Sequence, residues 1–267
     1  MIIVGCGRAG GAFAIAARRA GFDVRLVPGP SGRVVAGFAE SVIPPGDPLP
    51  PAHLVVVAVR DDAIPAVAAD LLSRIRGRPT VAHLSGLTSV DSLADLEASG
   101  VAVGSLHPLM TLPDPEHGAA ALDGAWAAVT AGDEVAETLA AFASTLGMIP
   151  FRLPDHAKAL YHAAASAAAN FVTAVLGMAG ELAEAAGVPF EAFRPLAVAA
   201  VEAVIEAGAD ATLTGPVARG DWRTVALQLR AVDRLGVGLG EDYRALIQVT
   251  ARLAGRLEEA RSVVESE

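Results

Sequence analysis

One cysteine, one lysine and one asparagine occur in 267 residues, and each scarcity excludes something. Cys6 alone cannot build an internal disulfide framework or a multi-cysteine metal site, so no metal is expected. A net charge of −10, with no clustered basic stretch, argues against nucleic acid as a partner, because neutralising phosphates needs such a surface. Charges, Gly or Pro interrupt the alanine-rich stretches before ~20 apolar residues accumulate, so no membrane span is expected. The opening "MIIVGCGRAGG" passes from a short apolar run straight into a glycine turn, unlike a signal peptide. The expectation is a soluble, cytoplasmic protein. What the chain does have is apolar residues, 53% of the total against 19% charged, enough for one large core or two modest ones.

Residues 1–152 alternate strand and helix signals. "MIIV", "FDVRLV", "HLVVVAV", Val81 to Leu84, "VAVGSL" and "WAAVTA" read as strands. "GAFAIAARRA" and segments near 62–75, 89–98 and 133–146 read as helices. That order predicts an α/β domain with a doubly wound parallel sheet and helices on both faces. Between the first strand and helix stands Gly5-Cys6-Gly7-Arg8-Ala9-Gly10. Gly5 suits a tight turn, Gly7 lets backbone approach a pyrophosphate, and Gly10 lets the helix pack closely with its N-terminus facing the phosphates. A GxGxxG alone is weak evidence; in this strand-turn-helix setting it predicts dinucleotide binding, with a purely structural turn as the alternative.

An NAD-binding domain usually places Asp or Glu about 20 residues further on, against the ribose 2′-hydroxyl. Here the second strand runs into Pro28-Gly29-Pro30-Ser31-Gly32-Arg33, without a carboxylate. The hydroxyl of Ser31 and the guanidinium of Arg33 suit a 2′-phosphate, so NADP(H) is the expected cofactor; a solvated loop is the alternative. Arg60, after the "VVVAV" strand, would face the ligand crevice or simply enter a helix beside the N-cap candidates Asp61 and Asp62. Ser85 and His107-Pro108 stand at the ends of the next two strands and would face the same crevice. His107 either shapes the site or acts in acid/base chemistry, or caps a turn.

From 153 to 267 strand signals vanish and an all-α domain is predicted. Its first helix has about thirty residues, ~45 Å long, and runs to Gly187. Lys158, His162, Ser166 and Asn170 recur every four residues on it, a polar stripe that must be exposed, mutually bonded or lining a cleft. With 19 arginines and a single lysine, sites needing only charge carry Arg, which stays protonated. Lysine can release a proton, and Lys158 is the candidate general acid. His162 and Asn170 are candidate catalytic partners and Ser166 a substrate contact; chance on a solvent face, a satisfied core histidine and an interhelical amide are the alternatives. In "TGPVARGD", Arg219 suits a substrate carboxylate, which guanidinium matches bidentately. Asp221 would join that contact, pair with Arg219 or cap the helix that follows.

Taken in order, GCGRAG, "HLSG", "GSLHPLMT", "YHAAASAAAN" and "LTGPVARGD" resemble the bacterial family of Rossmann-like proteins with a DUF2520 helical domain, over nearly the whole chain. That family is similar to ketopantoate reductases, pyrroline-5-carboxylate reductases and, more distantly, β-hydroxyacid dehydrogenases. The resemblance implies an NADP-dependent reductase of a small carboxylated ketone, ketopantoate first in pantothenate synthesis, and a homodimer formed through the helical domain. The β-hydroxyacid dehydrogenases use a helical Lys-x-x-x-Asn pair, which implies Lys158 as proton donor; His162 stands at the Asn position, and either His162 or Asn170 takes the place of that asparagine. A cyclic-imine reductase and a non-catalytic NADP-binding sensor are the alternative functions.

Overall fold

The computed structural model describes residues 1–266. By contacts the chain divides into two compact units, Met1–Asn170 and Phe171–Glu267. The last strand ends at Arg152, where the sequence changes character, but the first turns of the long helix that follows pack in the sheet-bearing unit.

The first unit is a seven-stranded sheet in the order β2-β1-β3-β4-β5-β6-β7, formed by β1 (Ile2–Val4), β2 (Arg25–Val27), β3 (Leu54–Val57), β4 (Thr80–His83), β5 (Ala102–Pro108), β6 (Trp126–Ala131) and β7 (Ile149–Arg152). Five helices connect the strands: α1 (Arg8–Arg19), α2 (Ile64–Arg74), α3 (Ala94–Ala98), α4 (Pro115–Ala121) and α5 (Asp133–Thr145). Successive strand residues point to opposite faces, and both faces are covered, which is why the strands read as unbroken apolar runs. Ile3, Leu26, Val56 and Leu106 pack with Phe13 of α1 and Phe142 of α5 on one face. On the other, Ile2, Val4, Val55, Val57 and Val81 pack with Ile64 and Leu71 of α2. The chain leaves β1 in one direction to β2 and continues from β3 in the other, so the order switches at β1 and opens a crevice beyond the strand ends there. This is the expected Rossmann-type architecture.

The sheet is not wholly parallel: β5 and β6 pair antiparallel, Gly104 opposite Ala131 and Pro108 opposite Ala127. The connection between them holds one short helix, α4, and the chain enters β6 from the end at which it left β5. Two elements, α4 and β7, are absent from the sequence reading. Strand β7 contains Pro150, tolerated because β7 pairs only with β6 and lies at an edge.

The long helix is present over 31 residues, Asp155–Ala185, and alone among the described residues has the length and apolarity of a membrane span. It is not uniform. After a 3-10 turn come α6 (Lys158–Ser166), a π turn (Ala167–Phe171) and α7 (Val172–Ala185). The second unit continues with α8 (Arg194–Ala207), α9 (Ala209–Thr212), α10 (Pro216–Arg219), α11 (Trp222–Asp233), α12 (Val237–Leu253) and α13 (Leu257–Ser266). Its core gathers Val217, Val225, Leu229, Ile247, Ala251, Ala260 and Val264, all on α10 to α13.

Candidate active site

Beyond the ends of β1 and β3 lies an open cleft shaped by the glycine turn. Gly5 sits at φ +100°, where a side chain would be strained and a Cβ would strike the Ala58 carbonyl. A Cβ on Gly10 would fall on the Gly5 carbonyl oxygen, whereas one on Gly7 would meet nothing. Two glycines are therefore required by the protein's own backbone, and the third borders space left for something else. Helix α1 starts there with no side-chain cap at Gly7 and no acidic residue in its first turn, so its free amides and positive dipole end stay available to an anion. The donor set and the opening fit a dinucleotide pyrophosphate.

Two adjoining cavities follow the turn. One, of about 1120 Å³, is lined among others by Gly5, Cys6, Gly7, Ser31, Arg33 and Arg60. The other, of about 370 Å³, is bordered by Gly7, Arg8, Ala9, Ala58, Leu84 and His107. Of the residues selected for the cofactor, Gly5, Gly7, Arg8, Ala9, Ser31, Arg33 and Arg60 thus lie along one surface. Gly10 is buried behind it. Arg33 and Ser31 are exposed neighbours, the Arg33 amide donating to Ser31 Oγ at 3.4 Å. Arg60 is exposed and holds Asp62 bidentately at 2.9 and 3.1 Å. Neither Asp61 nor Asp62 caps the turn after β3; Arg60 occupies the N-cap position without a side-chain cap. Cys6 is buried, and burial pushes its thiol up, as for a packing residue.

Ser85 does not border either cavity. Its hydroxyl donates to Asp61 Oδ2 at 2.7 Å and accepts from the amides of Leu87 and Thr88 at 3.1 and 2.8 Å. Those bonds fasten the loop after β4 and leave the hydroxyl little capacity for a ligand.

Behind the cleft the first turns of α6 meet the ends of β4 and β5. Lys158 is only 2% exposed, and its Nζ donates to Ser105 Oγ at 2.7 Å. Burial pulls the lysine down to about 8, the charges of Asp155 and Asp61 offsetting this only in part. Asp155 accepts from the Val90 amide at 3.0 Å; burial raises its carboxyl, but Ser89, Val90, Lys158 and His83 together hold it below the usual range. His83, in register with Ser105, is fully buried. Its Nδ1 accepts from the Ser85 amide at 3.2 Å, and its Nε2 reaches no partner, the Ser89 backbone attracting the ring without meeting hydrogen-bond geometry. Burial, then Lys158, push His83 down to about 4, so it stays neutral.

His107 lies two residues beyond Ser105 on the same side of β5 and borders the smaller cavity. Its Nδ1 is 2.8 Å from Tyr161 Oη, and its ring lies 6.3 Å from that of His162. Burial, then His162 and Lys158, hold His107 at about 4, while burial raises Tyr161 to about 12. Both members of the pair are neutral near pH 7.

The four-residue stripe is therefore split. Lys158 is buried, His162 and Ser166 are half-buried, and Asn170 is exposed, because the π turn changes the angular step before Asn170 is reached. Arg219 and Asp221 belong to the second unit. Asp221 caps α11, accepting from Thr224 N at 3.2 Å and Thr224 Oγ1 at 2.8 Å. Arg219 is exposed; its amide donates to the Gly215 carbonyl at 3.3 Å, and its charge, after the Thr224 bonds, helps hold the Asp221 carboxyl below the usual range. Ser105 and Tyr161 were not singled out from sequence. Both carry a signal: Ser105 shares a strand face with His107, and Tyr161 stands three residues after Lys158 on one helix face. No group of three or more potential metal ligands occurs among the described residues.

A Rossmann-type unit with a phosphate-fitting turn, joined to a helical unit, defines the class. Residues 125–250 match the family model described as a domain of unknown function, DUF2520, in agreement with the motif resemblance. No curated protein matches the chain. Among solved structures, a candidate NADP oxidoreductase from Bacteroides fragilis is similar at 21% identity, with a TM-score of 0.80 over 94% of this chain and 97% of that one. A Thermotoga maritima protein gives 21% identity and a TM-score of 0.70 over 95% and 98%. A pyrroline carboxylate reductase from Plasmodium falciparum, solved with NADP bound, gives 13% and 0.57 over 95% and 98%. At these identities the likeness is one of fold.

Proposed function

We propose that the protein is an NADP-dependent reductase of a small carboxylated ketone, with ketopantoate the first substrate to try. The observation that carries this reading is the continuous surface running from Ser31 and Arg33, past the open side of Gly7, to His107. Arg33 and Ser31 take the 2′-phosphate, the α1 amides take the pyrophosphate, and His107 marks the end where reduction occurs. When bound, NADPH supplies a hydride to the carbonyl carbon and is itself oxidised, while the carbonyl oxygen takes up one proton. Lys158 is taken as the source of that proton, and since it is buried and borders neither cavity, the side chain must move or relay the proton to reach substrate. With an affinity lowered to about 8, it holds a proton at neutral pH yet releases it far more readily than an exposed lysine. Ser105 anchors its Nζ. Arg219, an exposed guanidinium, is the candidate for recognising a carboxylate.

The likeness to a candidate NADP oxidoreductase and to a pyrroline carboxylate reductase solved with NADP bound supports the cofactor. A second copy of the chain covers the apolar face of α7 and α8, giving a homodimer in which each copy presents the same surface. The working protein is soluble and cytoplasmic, and α7 serves association rather than membrane insertion.

The test is NADPH oxidation by purified protein against small 2-oxo acids and cyclic imines, with NADH in parallel. Ketopantoate turnover with NADPH is expected, and Lys158→Met is expected to lower kcat by about 100-fold or more while NADPH affinity stays within twofold. Turnover of imines alone moves the reading to an imine reductase. Tight NADPH binding without turnover of any substrate defeats the enzyme reading in favour of a sensor.

A further inference from the structure

We infer that Tyr161 is a positioning residue that fixes His107 as the Nε2–H tautomer, making His107 a neutral hydrogen-bond donor to the substrate oxygen in the cleft. The inference rests on the reductase reading for what the donor is used for, but not for the state of the ring. Tyr161 Oη lies 2.8 Å from His107 Nδ1 and has no other hydrogen-bond partner among the described residues. Its phenol is half-buried, and such an O–H needs an acceptor. Among the described residues the acceptor within its reach is Nδ1; with Tyr161 as the donor, Nδ1 carries no proton and the proton of a neutral ring sits on Nε2.

Two further contacts hold the ring in place. The Tyr161 ring meets the His107 ring edge-on, with centroids 5.5 Å apart and planes at 89°, and Phe151 supports Tyr161 from another side at 6.0 Å. Across the ring, Gly86 leaves no room: a Cβ there would come within 2.8 to 2.9 Å of three His107 ring atoms. The imidazole is thus pressed against bare backbone, bonded at Nδ1, and left with Nε2 as its free polar edge beside the cavity it borders.

Burial, with the surrounding charges, keeps the ring neutral. His162 and Lys158 on α6 oppose its protonation, and Asp61 after β3 favours it more weakly; burial adds to the former. A neutral imidazole cannot deliver a full proton without becoming an anion. Its part is to donate a hydrogen bond to the oxygen on which negative charge grows, while the proton comes from Lys158. The two groups then divide the work, His107 polarising the carbonyl and Lys158 supplying the proton. Sequence alone left His107 between shaping the site and acid/base chemistry.

The test uses full-length protein labelled with ¹⁵N-histidine, read by two-bond ¹H–¹⁵N correlation and assigned with His107→Gln. The expected result is a single Nε2–H tautomer for His107 that persists from pH 8 to about pH 5. In Tyr161→Phe, which keeps the aromatic contacts, both tautomers are expected and protonation moves to higher pH, because the bond that favoured a bare Nδ1 is gone. With a turned-over substrate, Tyr161→Phe is expected to lower kcat roughly tenfold, a fraction of the ~100-fold or more for losing an oxyanion donor outright, with KM and NADPH affinity within twofold. Gly86→Ala is expected to shift the His107 resonances and lower kcat likewise. An Nδ1–H tautomer in the wild type, or a Tyr161→Phe spectrum unchanged at His107, overturns the inference. If the wild type reduces nothing, the reductase reading fails separately, and the tautomer is still decided by the spectra.

Discussion

The sheet unit and the helical unit treat apolar surface in opposite ways. In the first, both faces of the sheet are closed by helices, and even a lysine and a histidine are drawn inside and bonded. In the second, α10 to α13 enclose a small core, but α8 has no buried residue and α7 only Ala183. Val198, Val201 and Ile205, spaced to lie on one side of α8, are 46%, 46% and 78% exposed, and Phe171 at the start of α7 is 63% exposed. Apolar faces of this kind mark association surfaces. One unit closes its apolar faces with its own chain, and the other leaves the faces of α7 and α8 open.

Charge on the open face is the strongest way to break that contrast. Wild-type protein is expected to sediment as a dimer, and Val201→Asp with Ile205→Asp as a monomer, a weakening of at least about 100-fold since the charges would be buried in both copies. NADPH affinity is expected to survive, because the glycine turn and cavities belong to the sheet unit. A wild type that is monomeric at micromolar concentration contradicts the dimer.

Within the finished unit, two glycines of one motif separate folding from binding. Gly10→Ala forces a side chain into the Gly5 carbonyl and is expected to cost about 1–3 kcal/mol of stability by urea unfolding. Gly7→Ala meets no protein atom, so stability stays within about 0.5 kcal/mol while NADPH titration shows roughly tenfold weaker binding. Equal loss of stability in both variants would refute the distinction.

The smallest effect concerns the buried lysine. Its folded affinity for the proton, at about 8, lies below the usual 10.5, so between these values the unfolded chain binds more protons and stability rises with pH. Below pH 8 the cost of the buried charge is fully present. Urea midpoints at pH 7 and pH 10 are expected to show the wild type gaining on Lys158→Met as pH increases; parallel behaviour would remove Lys158 from the buried charges.

Much of the first unit was legible because it rests on local rules. Alternation marked β6 at its observed ends, and strand-turn-helix context marked the phosphate turn. Strand β7 was hidden by Pro150, and α4 by its short length between loops. In the site, residue rarity pointed to Lys158, and a strand end to His107. Regular four-residue spacing pointed equally to Asn170, which the π turn leaves exposed. Asp221 was legible only as three options until Thr224 was seen to occupy it as a helix cap. Ser85, read as facing the crevice, is instead spent on Asp61 and two loop amides.

Sequence by itself determined the alternation of elements, the glycine turn, the long alanine-rich helix and the singling out of its one lysine. Each depends on neighbours a few residues apart, where backbone geometry imposes a period. Only the tertiary structure decided that β6 runs back against β5, that Lys158 bonds Ser105 across 53 residues, and that Tyr161 bonds His107 across 54. Those pairings depend on how a helix docks on a strand end, and no periodicity in the chain encodes that.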